Sequence, residues 1–171
     1  MSEHILKIAG IVKESVVDGP GFRYVVFAQG CHHKCPGCHN PHTHPIDGGK
    51  EISVDEIFSE IIKNPLLKGV TLSGGEPFLQ AVAFVCLARK VKEAGLSVMI
   101  YSGYTLEELT DMFDEFPEYE KLLDFCDILV DGRFIENEKN LTLKFRGSNN
   151  QRILDVPKSL EKNSAVLLEL F

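Results

Sequence analysis

Gly69-Val70-Thr71-Leu72-Ser73-Gly74-Gly75-Glu76-Pro77 is the stretch on which the fold reading turns. Residues 69–73 form an apolar run with strand character, a glycine pair ends it, and a helical pattern follows from about residue 78 to residue 94, stopped by Gly95. A strand, a glycine turn and a helix in that order make one unit of a parallel α/β sheet. A glycine pair also lets backbone approach a ligand where a Cβ would clash, and free backbone groups at a strand end can receive a charged group. Most such turns are only turns.

The same unit recurs downstream. Residues 96–101 read as a strand ending at Ser102-Gly103, and Thr105 with Glu108 caps a helix bearing Leu106, Leu109, Met112 and Phe113. A helical piece near residues 119–123 precedes Ile128-Leu129-Val130, a further buried strand that runs into Asp131-Gly132-Arg133. Upstream, residues 6–12 and 24–28 read as strands, separated by Val17-Asp18-Gly19-Pro20-Gly21-Phe22-Arg23. That segment is equally a plain turn or, through Asp18 and Arg23, part of a binding rim. Ser53 and Glu56 cap a helix whose apolar face is Val54, Ile57, Phe58, Ile61 and Ile62, while residues 40–50 lack periodicity and read as loop. Residues 141–145 and 152–156 predict a hairpin around the polar turn 146–151, and residues 166–170 a last strand or packed terminus.

Strand-helix alternation implies parallel strands with right-handed crossovers, and ligands in such sheets collect at the carboxyl ends. Residues 31–38, 74–77, Ser102 and 131–133 all follow predicted strands and are therefore expected on one rim. The first of them is Cys31-His32-His33-Lys34-Cys35-Pro36-Gly37-Cys38, a C-x3-C-x2-C loop. Three thiolates so close together suit an iron-sulfur cluster or zinc better than a hard cation. A four-iron cluster held by three thiolates keeps one iron open for a substrate. Zinc would complete its set with His39, His42 or His44. The spacing alone leaves both open.

The 171 residues and 19.1 kDa fit a single domain over 1–171, long enough to bury about 70 % of the surface its unfolded chain exposes. A formal charge of −7 argues against a nucleic-acid phosphate tract as partner. The acidic stretch 107–127, nine carboxylates against Lys121, reads as a solvated face or as a docking surface for a basic partner. Five cysteines, three of them clustered, and a first segment without a signal-peptide pattern place the thiols in a reducing compartment. No apolar run nears the roughly 18 residues of a membrane span, so a cytoplasmic protein is expected. Cys86 and Cys126 read as core.

The C-x3-C-x2-C loop followed by Gly-Gly-Glu-Pro at a helix start resembles the radical S-adenosylmethionine (SAM) superfamily. Asp18-Gly-Pro-Gly-Phe-Arg23, Cys35-Pro-Gly-Cys-His-Asn-Pro41, Tyr101-Ser-Gly-Tyr104, Leu129-Val-Asp-Gly-Arg-Phe134 and Arg146-Gly-Ser-Asn-Asn-Gln-Arg152 resemble, over nearly the whole chain, the activating proteins of anaerobic ribonucleotide reductase. The resemblance implies an α/β fold, a partial (open) parallel-stranded α/β barrel of the radical SAM type. It implies Cys31, Cys35 and Cys38 as ligands of a [4Fe-4S] cluster whose fourth iron is chelated by SAM. Reductive cleavage of SAM would yield a 5′-deoxyadenosyl radical that takes hydrogen from a glycine of the reductase.

By the same resemblance Gly74, Gly75 and Glu76 meet the SAM amino group, Gly37, Cys38 and His39 lie along SAM, and Asp131 with Arg133 borders it. For the last pair a surface salt bridge is the competing reading. Asp18, Arg23, Arg146 and Arg152 are expected on the partner-facing rim. No catalytic acid or base is needed for a hydrogen-atom abstraction, and no His-carboxylate constellation stands out in the sequence. A low-potential electron donor such as flavodoxin is implied, with no nucleic acid and no membrane. Two departures stand out: Gly37 replaces the aromatic residue common before the third cysteine, and Ser102-Gly103 replaces an acidic residue of the formate-lyase activases. A radical SAM enzyme acting on a small molecule, such as one making a deazapurine, and a zinc-stabilised binding module are the alternative readings.

Overall fold

The structure, a computed structural model, describes residues 4–38 and 40–169. Strands β1 (Ile5–Ser15), β2 (Arg23–Ala28), β3 (Lys50–Ser53), β4 (Gly69–Gly74), β5 (Ser97–Tyr101), β6 (Ile128–Asp131) and β7 (Arg152–Asp155) form one sheet in the order β3-β1-β2-β4-β5-β6-β7. The four central strands, β2, β4, β5 and β6, run parallel, as strand-helix alternation requires. β1, β3 and β7 are antiparallel additions at the two sides. β3 and β7 end the strand order without pairing with each other, the outer side of β7 being met by residues 166–168, so the sheet is not closed and the architecture is a partial α/β barrel.

Helices α1 (Val54–Ile62), α2 (Ala81–Glu93), α3 (Leu106–Asp111), α4 (Pro117–Asp124) and α5 (Val156–Lys162) contribute to one core on one face of the sheet. Side chains alternate along a strand, so this face takes Val70 and Leu72 of β4, Val98 and Ile100 of β5, and Leu129 of β6. The opposite face carries Thr71 and Ser73, then Met99 and Tyr101, then Val130, with Phe145 and Leu168 packed on its apolar part. Local chemistry places the helix ends. Ser53 Oγ accepts the Glu56 amide at 3.1 Å to cap α1, and Thr105 with Glu108 forms the reciprocal capping box of α3.

Two expectations change. The predicted hairpin does not form: residues 141–145 are not a strand, and residues 152–155 pair antiparallel with β6 as β7 instead. A long-range partner with a matching apolar face outweighs a local turn. Residues 40–50 are not all loop, since Pro41–Thr43 make a short 3-10 turn and Lys50 opens β3. Of the predicted last piece, Leu167 bridges Leu154, and residue 170 lies outside the described residues.

Arg152 locks β7 in place. Its Nε donates to Asp131 Oδ1 at 3.0 Å, its Nη2 to Asp131 Oδ2 and Glu107, and Asp131 Oδ2 also accepts the Leu106 amide at 2.8 Å at the start of α3. Asp131 is 1 % exposed, so removing its cation strands a buried carboxylate. Arg152→Ala is expected to lower the unfolding free energy by about 3 kcal/mol in a denaturant titration, the low end of the range because one side of the pair meets water.

Candidate active site at the cysteine loop

The carboxyl ends of β2, β4, β5 and β6 meet on one rim, and each leads into one of the polar segments singled out in the sequence. The rim surrounds a cavity of about 550 Å³ whose wall includes Cys31, Cys35 and Cys38, Ser73 to Gly75, Ser102 and Gly103, and Gly132. The three thiols, free and partly buried, thus share one space with the glycine turn.

The cysteine loop is seated from two directions. Gly30 donates to Thr43 O at 2.6 Å and Cys31 to His44 O at 3.0 Å, so residues 43–44 brace its start. On the other side the Gly75 amide donates to Ala28 O and the Glu76 amide to Gly30 O, both at 2.8 Å. These bonds bring the β2 and β4 ends together so tightly that a Cβ on Gly75 would lie 2.3 Å from Gly30 O. At the far end of the loop, Cys38 donates its amide to Cys35 O at 3.2 Å, and the Asn40 amide donates to Cys38 Sγ at 3.4 Å. Gly37 is exposed, at φ +74, with Glu136 3.1 Å from an ideal Cβ, a turn geometry that explains glycine at that position. His39 lies outside the described residues. Burial pushes the Cys31 and Cys35 thiols up.

Other predicted site residues fall in different places. Glu76 does not present its carboxylate to the cavity: it is 1 % exposed and accepts from the Phe78 amide (3.1 Å), Ser102 Oγ (2.8 Å) and the Gly103 amide (2.9 Å), and pairs with His33 Nε2 (2.7 Å). Asp131 and Arg133 do not pair with each other. Asp131 follows Leu129 on the helix-facing side of β6 and takes Arg152, while Arg133 is exposed and pairs with Glu108 at 3.1 Å. Gly132, between them, reaches the cavity.

Arg23 is not on a partner-facing rim. It sits at the opposite end of β2, 1 % exposed, beneath the turn at Gly19 and Pro20. Its hydrogen bonds to Thr71 Oγ1, Pro20 O, Val70 O, and Ser97 Oγ and O all end on neutral oxygens. Burial lowers its pKa to about 10. Gly69 and Gly19 leave the space that this guanidinium and its stem fill. Arg152 is likewise engaged internally. Asp18 does line the cavity, its Oδ2 accepting from Ser15 Oγ at 2.6 Å.

Arg146 lines the cavity too. Its Nη1 donates to Gln151 O at 3.1 Å, and its Nε is buried without a partner. Gln151 holds this turn to the rim, accepting from the Gly147 amide at 2.8 Å and donating to Gly132 O at 3.0 Å. Sequence reading overlooked His33 and Tyr104. The signal for His33 lay in the loop, but only the fold brings Glu76 to it.

The cavity fits the cofactors that the resemblance implies. Its donor set is three soft thiols, each free to take a separate iron, and an orphaned guanidinium N–H in the same wall suits a ligand carrying a carboxylate. Among the described residues no three His, Cys, Asp or Glu side chains are grouped as a site for a single metal ion. Nor, among the described residues, is any helix long and apolar enough to cross a membrane.

Residues 17–154 match the family model described as a 4Fe-4S single cluster domain. The anaerobic ribonucleoside-triphosphate reductase-activating protein of Vibrio cholerae is 36 % identical over 147 residues, covering 81 % of this chain and 90 % of that protein. The pyruvate formate-lyase-activating enzyme of Staphylococcus epidermidis is 38 % identical over 151 residues, and the match spans 84 % of this chain but 59 % of that enzyme. The crystal structure of QueE from Escherichia coli overlaps 59 % of this chain and 54 % of that one, with a TM-score of 0.47 and 18 % identity. With three cysteines and a glycine turn on one rim, and with the matches to the family model and to the two activating enzymes, the chain belongs to the 4Fe-4S single cluster domain family as a radical SAM activating enzyme of the glycyl-radical-enzyme class, with a [4Fe-4S] cluster and SAM as cofactors.

Proposed function

We propose that this protein, through residues 1–171 as one catalytic domain, activates an anaerobic ribonucleotide reductase by removing a hydrogen atom from the Cα of a reductase glycine. The observation that carries this is the match to the Vibrio cholerae reductase-activating protein, which extends over 90 % of that protein, whereas the formate-lyase activase matched spans only 59 %. When bound and reduced by a low-potential donor such as flavodoxin, the cluster and SAM supply methionine and a 5′-deoxyadenosyl radical as hydrogen acceptor. Cys31, Cys35 and Cys38 hold the cluster. The Gly74 and Gly75 backbone meets the SAM amino group, and Cys38 lies along the cofactor. Glu76 serves by a different route, a reading that the burial of its carboxylate supports.

The protein's own part is to orient and to exclude water, since a radical in an open site is quenched by whatever reaches it. The unclosed sheet leaves that task to the partner. The apolar lip of the mouth supports this reading: Val16 is 62 % exposed beside cavity-lining Val17, and Leu141 is 85 % exposed two residues before cavity-lining Leu143. Asp18 and Arg146 stand inside that lip, where a glycine-bearing backbone loop would pass.

Val16→Asp combined with Leu141→Asp is expected to leave SAM cleavage without partner within about twofold of the parent. The glycyl radical signal of the reductase, counted by electron paramagnetic resonance, should fall by about tenfold or more, as when a charge is forced into a desolvated interface centre. Equal loss of both activities, or of neither, would remove the lip from docking. A parent that cleaves SAM yet never radicalises an anaerobic reductase would instead refute the choice of partner.

A further inference from the structure

The Glu76 carboxylate, both of whose oxygens are hydrogen-bonded, meets His33 Nε2 at 2.7 Å on the rim, the ring's Nδ1 being buried without a partner, and neither group is used by the chemistry above. We infer that Glu76 and His33 form a positioning clamp that holds the cysteine loop at the rim, so that Glu76 acts on the cluster thiols through His33 rather than by touching SAM. The inference rests on Cys31, Cys35 and Cys38 holding the cluster.

The geometry is specific. The His33 side chain is 3 % exposed and that of Glu76 is fully buried, with Nε2 and Oε1 2.7 Å apart. Glu76 accepts at the same time from the start of the helical segment (Phe78 amide) and from the end of β5 (Ser102 Oγ and Gly103 amide). One carboxylate therefore joins three rim segments. A carboxylate accepts only, so Nε2 is the protonated ring nitrogen of His33. Burying a carboxylate is tolerable only while those bonds persist, which makes the arrangement rigid.

The ring's seat is prepared by its neighbours. A Cβ on Gly103 would lie 2.5 Å from His33 Cδ2, so only glycine leaves room for the ring. Tyr104 stands edge-on to His33, with ring centroids 4.7 Å apart, and its hydroxyl lies 2.7 Å from His32 Nε2. Ser102-Gly103 thus acquires a reason here: the serine holds Glu76 and the glycine admits His33. Between Cys31 and Cys35 the backbone is irregular, with Lys34 at φ 52, so side-chain anchors must set where the thiols sit.

The test uses anaerobically reconstituted protein without partner. Iron release to a chelator and the electron paramagnetic resonance spectrum of the reduced cluster are recorded for the parent, His33→Phe, His33→Gln and Val91→Ala. His33→Phe keeps a ring but loses the donor, and iron release should be about tenfold faster with an altered spectrum, the scale on which partners of metal ligands act. His33→Gln places an amide N–H near the Nε2 position and should restore release to within about threefold of the parent. Val91→Ala, in the helix core away from the rim, controls for general destabilisation and should leave rate and spectrum at the parent values.

Parent-like release and spectrum in His33→Phe, or release from Val91→Ala as fast as from His33→Phe, would overturn the clamp. If His33→Phe does not fold, Gly103→Ala displaces the ring instead and should show the same acceleration; parent-like behaviour there overturns the clamp equally. A parent that assembles no four-iron cluster would overturn the cluster assignment as well, an outcome distinct from failure of the clamp alone.

Discussion

Cys35→Ala should abolish the four-iron cluster and lower SAM cleavage by roughly a thousandfold or more, equivalent to about 4 kcal/mol of lost barrier reduction. The reason is that the loop supplies only three thiols, all of which the proposed function gives to the cluster. Iron and sulfide content, visible absorption and 5′-deoxyadenosine release each report the loss. The fold should survive, since Cys35 stands in the cavity wall rather than in the helix-facing core. Cys126→Ala is the internal contrast. Cys126 is 2 % exposed in that core, where its thiol donates to Ile128 O at 3.1 Å, so its loss should cost about 1 kcal/mol of stability and no iron. A Cys35→Ala protein with full cluster content would remove Cys35 from the ligand set.

Gly75→Ala should be the most damaging change that removes no ligand. Its Cβ would meet Gly30 O at 2.3 Å, Gly30 C at 2.8 Å and Ala28 O at 3.1 Å, all backbone atoms that cannot swing aside. The β2 and β4 ends would have to part, with the Gly75–Ala28 and Glu76–Gly30 hydrogen bonds strained or lost. A loss of about 3 kcal/mol in a denaturant titration is expected, from overpacking and weakened buried hydrogen bonds. Because Gly30 runs straight into Cys31, the cysteine loop should shift as well, and reconstituted iron content should fall. Gly10→Ala is the matched control: nothing lies within 4 Å of its Cβ, so stability should change by less than about 1 kcal/mol. Similar effects at both positions would mean that the close approach at Gly75 has no structural weight.

The parallel centre of the sheet was legible because each strand there is local in sequence: an apolar run, a turn, then a helix, repeated from residue 69 to residue 131. The hairpin expected at residues 141–156 failed because its signal was local while the winning pairing was not. β7 lies against β6, some twenty residues earlier, through Leu129 and Leu154 and the Asp131–Arg152 pair. The same limit applies at the site. A motif says that Glu76 and Asp131 matter, but not which way a carboxylate turns.

Strand parity answers that for Asp131, which points to the helices because it follows Leu129 by two residues. Long-range hydrogen bonding answers it for Glu76, whose partners come from residues 33, 78, 102 and 103. Arg23 is the sharpest case: a charge in a glycine-proline turn reads as exposed, yet neutral oxygens from β4, β5 and the turn itself accept all of its hydrogen bonds. From sequence alone follow the three thiols, the glycine turn, the α/β class and the rim on which they meet, because spacing and periodicity are properties of adjacent residues. The antiparallel edges, the burial of Arg23 and the joining of Glu76 to His33 belong to the tertiary structure, because each depends on atoms that approach only when distant segments pack.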